Sequence, residues 1–350
     1  MSTFPGRRPS GLPQPDDDAR AHAARVQRHV HQQIEAGGGW IPFAVFMDLV
    51  LHAPGLGYYA AGAQKFGHDG DFVTAPEMTP LFGEAVAYQI AEILESTGGD
   101  ILELGAGSGA LAIDLLGELE SIGIMPSRYR IFEPSAELAQ RQRQRLRHSL
   151  PQACDRVEWV DSLDASDSPR AGFTGVVIAN EVLDALPVHV LAWREGGVSE
   201  CGVSLRDGEL AWEERPADAV LMSAAQAPGG YVADYELPYV SEVCPAMSHL
   251  VSRLAGNLDR GAMLFIDYGF PRAEYYHPQR DHGTLMCHYR HRAHDDPFFL
   301  PGLQDITAHV DFTAVAEAGV DAGCQLAGYT TQAQFLLNCG ITELLARTPA

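Results

Sequence analysis

Read for the spacing of its apolar positions, the chain changes period twice. From about 19 to 36 apolar residues recur at helical spacing, and Gly37, Gly38 and Gly39 end the run. Residues 43–52 repeat the pattern and stop before Pro54. The stretch 55–80 has no period but is rich in glycine, aromatics and turn residues, which predicts an ordered loop; helical spacing returns over 81–94. Beyond residue 99 short apolar runs alternate with helical stretches, at 100–104, 129–132, 157–160, 176–179 and 262–266. That alternation predicts an α/β fold with a parallel, doubly wound, Rossmann-like sheet. Between the fourth and fifth runs lie three segments of another kind, 188–193, 200–205 and 209–213. Turn signals at Glu195-Gly196-Gly197 and Asp207-Gly208 separate them, so they predict an antiparallel β insertion. Residues 325–329 read as a sixth strand and 331–347 as a helix, with no seventh strand after it.

The resulting division is a disordered leader over 1–18, a helical and loop segment over 19–98 covering the ligand cleft, and a Rossmann-like domain formed by 99–187 and 261–350. A β-rich insertion with a helix occupies 188–260. A further insertion, 270–304, is rich in His, Pro and Tyr and is expected to face the substrate.

Composition narrows the partners. The 350 residues carry 46 Asp and Glu against 24 Lys and Arg, a formal charge of -22. Such a field repels phosphates and excludes nucleic acid as a partner, while it would draw in a basic substrate such as an arginine-bearing peptide. Solubility alone also accounts for it. The six cysteines are scattered without a C-x-x-C pair, which favours free thiols in a reducing compartment: the cytoplasm, or the mitochondrial matrix in a eukaryote. No apolar run approaches the roughly 18 residues of a membrane span. His282, His288, His291 and His294 fit no common zinc spacing, so no metal is expected.

The chemistry concentrates where strands end. ILELGAGSGA, 101–110, follows a predicted strand and precedes a helix, and Gly105, Gly107 and Gly109 let the backbone turn tightly against a ligand. Gly105, Gly107 and Ala110 also satisfy the dinucleotide pattern G-x-G-x-x-G/A. Three acids tilt the reading to S-adenosylmethionine. Glu103 stands two residues before the first glycine, where a carboxylate suits a cationic amino-acid end. Glu133 ends the next strand, where it can accept both ribose hydroxyls, and Asp161 ends the one after, where it can accept from the adenine amino group. Each acid taken alone also fits a helix cap or a solvated loop residue. Asn180 could touch the amino-acid end of the same cofactor, and Asp71 and Thr74, in GDFVTAPE, could close over it.

Six motifs resemble the MidA family, the mitochondrial complex I assembly methyltransferases and their bacterial relatives. They are GDFVTAPEMTPLFGE at 70–84, ELGAGSG at 103–109, ANEVLDALPV at 179–188, LFIDYG at 264–269, GTL at 283–285 and DITAHVDFTAV at 305–315. Where the family usually writes G-P-G-x-G, this chain has Gly105-Ala106-Gly107-Ser108-Gly109, which keeps the turn. The resemblance implies a seven-stranded class I methyltransferase that uses S-adenosylmethionine to form symmetric dimethylarginine on a protein, a subunit of respiratory complex I.

With arginine as acceptor, the guanidinium is charged at any ordinary pH, so its nitrogen needs carboxylates to hold it and take its proton. Glu181 and Asp184 are the catalytic candidates; a helical turn would place their i, i+3 pair on one face. Tyr268 with Asp267 could face the same cleft. In DITAHVDF, Asp305, His309 and Asp311 cluster, with His309 and Asp311 as further catalytic candidates and helix capping as the competing role. A small-molecule methyltransferase would share every cofactor residue. A cofactor-binding assembly factor without catalysis and an NAD-dependent oxidoreductase are two rival functions that the same glycine turn would fit.

Overall fold

A computed structural model describes residues 11–60, 74–163 and 172–347. In chain order the first elements are α1 (Asp17–Ala36), β1 (Trp40–Pro42), α2 (Phe43–His52), α3 (Ala75–Met78) and α4 (Pro80–Thr97). The alternating region follows as β2 (Asp100–Leu104), α5 (Ala110–Ser121), β3 (Tyr129–Phe132), α6 (Ala136–Ser149), β4 (Val157–Val160) and β5 (Phe173–Asn180). The insertion comprises β6 (His189–Arg194), β7 (Gly197–Arg206), β8 (Glu209–Pro216), α7 (Ala219–Ala224), α8 (Gln226–Val232), β9 (Tyr239–Val243) and α9 (Pro245–Asn257). The remainder is β10 (Leu258–Ile266), β11 (Gly269–Phe270), α10 (Arg272–Tyr275), β12 (Met286–Tyr289), β13 (Arg292–His294), β14 (Asp305–Thr307), β15 (Val310–Asp311), α11 (Phe312–Asp321), α12 (Gln332–Asn338) and α13 (Ile341–Arg347).

The central sheet is parallel, in the order β10-β5-β2-β3-β4. Its strand β5 explains both layers. Side chains alternate across a strand, so Val176 and Ile178 pack with α4 and α5, whereas Val177 and Ala179 meet Leu254 of α9 on the other face. Both faces are therefore covered, as a parallel sheet requires. The sixth strand expected over 325–329 does not form: the segment carries no strand structure, and Leu326 and Tyr329 are exposed. Gly328 weakens strand formation there, and the Tyr329 ring packs instead on Phe312, 5.4 Å away. The helix expected over 331–347 breaks into α12 and α13, because Gly340 adopts φ +81° between them. Among the described residues, β10 pairs with β5 alone.

The insertion is antiparallel as expected, but it recruits an N-terminal strand. Long β7 pairs with β8 over most of its length; its other edge is shared by β6, up to Cys201, and by β1, from Gly202 to Ser204. Gly202 is needed there because a Cβ would lie 2.3 Å from the Trp40 ring. Val26, Val30, Phe43 and Phe46 from the N-terminal helices join Val190, Cys201, Val203, Val240, Leu285 and Ile306 in one core. The part of the expected disordered leader that lies within the described residues is ordered. Pro15 is buried, Asp16 accepts from Ala19 N to cap α1, and Arg292 donates to the Gly11 carbonyl at 2.6 Å. No described helix is long and apolar enough to cross a membrane.

Candidate active site

The carboxyl ends of β2, β3 and β5 open on one cavity of about 1080 Å³. Its far wall comes from the 286–293 hairpin and from 305–309, and His52 and Tyr59 close another side. Glu103, Gly105, Gly107, Glu133, Asn180, Thr74, Glu181, Asp184 and His309 all line it. Gly109 does not; with φ +82° it starts α5 immediately behind the loop. Asp161 is exposed at the end of β4 and outside the cavity wall, which Leu163 reaches instead. Asp71 lies outside the described residues.

The glycine turn is built by conformation. Gly105 and Gly107 take φ +60° and +54°, and Gly105 donates to the Phe132 carbonyl at 3.0 Å, tying the loop to the end of β3. Beneath it Glu103 is buried and accepts from Tyr129 Oη at 2.8 Å. Burial raises its pKa to about 8 despite that bond, with the Glu133 charge adding to the effect. Burial also raises Glu133, against bonds from Ser135 N and Gln142 Nε2, both at 3.0 Å. Gln142 carries no sequence signal beyond being a polar residue in the apolar stripe of α6.

Asn180 gives the test of fit for the cofactor. Its Oδ1 is buried with no partner among the described residues, a state that costs free energy until a donor arrives. An ammonium group supplies such a donor. Glu133 likewise has acceptor capacity left on both oxygens after its two bonds. The residues present therefore fit a ligand with an amino-acid end and a nucleoside end.

Beyond β5 the chain turns sharply rather than forming the expected helical turn. Glu181 takes φ +51°, a left-handed conformation that non-glycine residues rarely adopt. The cause is Asp267, at the end of β10: its Oδ2 accepts from the amides of Val182, Leu183 and Asp184, and its Oδ1 from Tyr268 N. A carboxylate gripping three successive amides folds the turn around itself and delivers Glu181 and Asp184 together. Asp305, buried and bonded by Tyr59 Oη at 2.8 Å, completes an acidic cluster. Burial first, then repulsion from Asp267, raises Glu181 to about 7. Burial and the charges of Asp267, Asp305 and Glu181 hold Asp184 well above the ordinary carboxylate range. Burial raises Asp267 to about 6 against its amide bonds.

His309 lines the cavity with Nδ1 buried and unpartnered among the described residues, beside the Phe270 ring at 5.1 Å. Burial and nearby Arg280 lower its pKa, so it stands neutral near pH 7. Asp311 is a correction: it caps α11 through Thr313 N and Ala314 N and pairs with buried Arg272 at 3.0 Å, away from the cavity. Helix capping is the role that holds for that residue. His288 is the member of the histidine-rich stretch that reaches the cavity wall.

Residues 85–330 match the family described as "Putative S-adenosyl-L-methionine-dependent methyltransferase". The chain is 31% identical to the zebrafish (Danio rerio) "Protein arginine methyltransferase NDUFAF7, mitochondrial", over 90% of this chain and 76% of that protein. It is 29% identical to the Drosophila melanogaster homologue of the same name, over 88% and 72%. Among solved structures, a Burkholderia thailandensis protein crystallised with S-adenosyl-homocysteine superposes with a TM-score of 0.90 at 47% identity, covering 97% of this chain and 87% of that one. The glycine turn, the unsatisfied Asn180 and this similarity along almost the whole chain agree, and the chain belongs to the MidA family of S-adenosylmethionine-dependent methyltransferases.

Proposed function

We propose that the chain methylates a guanidinium nitrogen of arginine in a protein substrate. The observation that carries this reading is the cluster of Glu181, Asp184 and Asp305 lining the cavity with Asp267 behind them, an arrangement that is costly without a cation. The named activity of the zebrafish and fly relatives supports it. Bound S-adenosylmethionine supplies an electrophilic methyl group on a sulfonium. Glu133 and the glycine turn hold the nucleoside end, and Asn180 Oδ1 with Glu103 serves the amino-acid end. Thr74 belongs to the same cofactor wall in this reading.

Glu181 and Asp184 hold the guanidinium in bidentate fashion, which fixes one nitrogen and excludes water from it. Raised carboxylate pKa values suit the proton transfer that follows. As the nitrogen gains a methyl group it loses one proton, which a carboxylate near pH 7 can accept and pass on. His309, neutral and with Nδ1 unpartnered among the described residues, is the alternate acceptor, carried on the same 305–309 segment as Asp305. Asp267 does not touch the acceptor; it positions Glu181 and Asp184 through their turn. The product reading that follows from the family is symmetric dimethylarginine on a complex I subunit. The six free cysteines agree with a reducing compartment, cytoplasm or mitochondrial matrix.

The test is incubation with candidate complex I subunits and labelled S-adenosylmethionine, followed by mass spectrometry of modified residues. Label on arginine is the expected result. Cofactor binding without any protein label would turn the reading to a small-molecule acceptor.

A further inference from the structure

Helix α6 buries Leu138, Ala139 and Leu146, the last in one core with Tyr129 and Ile131 of β3, and in the middle of that apolar stripe stands Gln142, 0% exposed. A primary amide there costs free energy unless its donors and acceptor are met. Trp159 Nε1, a donor only, gives its hydrogen to Gln142 Oε1 at 2.8 Å, and this fixes which way the amide faces. Nε2 must then face the other side. It donates to the Gly107 carbonyl at 2.9 Å and to Glu133 Oε2 at 3.0 Å. One side chain thus joins the glycine turn after β2, the acid after β3 and the indole of β4.

The consequence falls on Glu133. Ser135 N holds one oxygen and Gln142 the other, so the carboxylate cannot rotate and each oxygen keeps acceptor capacity toward the cavity. A fixed carboxylate of this kind suits two neighbouring hydroxyls. We propose that Gln142 is a positioning residue for nucleoside recognition: it locks Glu133 as the acceptor of a vicinal diol and ties the Gly107 turn to the same point, so that ribose specificity depends on a residue that does not line the cavity. This rests on the reading of Glu133 as the ribose acceptor.

The test is calorimetric binding of S-adenosylhomocysteine and its 2′-deoxy analogue to the full chain and three variants. A site whose buried acceptors await hydroxyls should prefer the parent compound in the wild type, by about ten-fold or more. Glu133→Gln should collapse that preference. Gln142→Met, which keeps volume and removes every bond, should collapse it too, with a loss of parent affinity of about 10- to 100-fold and little loss for the deoxy analogue. Trp159→Phe keeps an aromatic ring but frees the amide to turn, and should reduce the preference part of the way; it decides the matter if Gln142→Met fails to fold. A preference unchanged in Glu133→Gln would overturn the ribose reading and the proposal with it. A preference lost in Glu133→Gln but kept in Gln142→Met, or in Trp159→Phe where the former does not fold, would overturn the role of Gln142 alone. Equal losses for both ligands in Gln142→Met would reduce it to packing.

Discussion

Four acids around one turn are a liability to the fold and an asset to a cationic guest, and single substitutions separate these effects. Glu181→Gln and Asp184→Asn should each lower kcat by about 10²-fold or more, the scale of a lost proton acceptor, while S-adenosylhomocysteine binds as before. Unchanged turnover in either would remove that residue from catalysis. Their titration sets a pH dependence with a definite sign. Glu181 rises from 4.5 to about 7 and Asp267 from 3.8 to about 6 in the folded chain. Between the ordinary and the raised values the folded protein holds protons that the unfolded chain has released, so stability is greatest below about pH 4 for these groups and falls as pH climbs through 6 and 7. The melting temperature should therefore drop between about pH 4 and 7, and Glu181→Gln should flatten that slope. A guanidinium guest reverses the balance, because it favours the ionised carboxylates. Its binding should release protons and tighten with rising pH, as calorimetry in buffers of different ionisation enthalpy would detect.

At the scale of elements, parts of two sequence motifs serve as structural devices. In GTL, Gly283 takes φ +78°, and a Cβ there would stand 2.0 Å from a carboxylate oxygen of buried Glu242. That carboxylate accepts from Thr284 N and Oγ1 and from Tyr275 Oη, and Thr284 Oγ1 in turn accepts from His309 N, so the motif anchors the wall that carries His309. Gly283→Ala should cost more than about 3 kcal/mol in urea denaturation, from strain and overpacking together. In DITAHVDF, Asp311 both caps α11 and holds Arg272. Asp311→Ala should lower stability by about 2–4 kcal/mol and leave turnover per folded molecule intact, whereas a catalytic aspartate would lose turnover first. The strands of the parallel sheet were legible because each is a short apolar run closed by a turn, and the glycine turn because its spacing and its place after a strand coincide. What the period could not convey was long-range. Trp40–Pro42 is too short to read as a strand and exists because β7 offers half an edge; 325–329 reads as a strand and finds no partner. Asp267 was visible as a strand-end acid, but its grip on three amides 83 to 85 residues away depends on β10 lying beside β5. Gln142 was hidden for a related reason, since its three bonds meet only when three strand ends converge.

For the molecule as a whole, the charge of -22 and the acidic wall act at different ranges. Close carboxylates inside the cavity are shielded from salt by burial, whereas the net field outside extends about one Debye length, roughly 10 Å at 0.1 M salt. A basic peptide should be drawn in by the outer field and held by the inner cluster. Raising salt from about 0.05 to 0.5 M should therefore raise KM for a basic peptide several-fold through slower association, with kcat nearly unchanged because the buried contacts are made once the guanidinium is seated. S-adenosylhomocysteine, neutral overall, should bind almost independently of salt and serves as the internal control. A KM that ignored salt would mean that the acidic surface plays no part in recognition, and that selection of the substrate rests on the cavity wall alone. If kcat fell together with affinity, the guanidinium clamp itself would be open to solvent, contrary to the burial of Asp184 and Asp305.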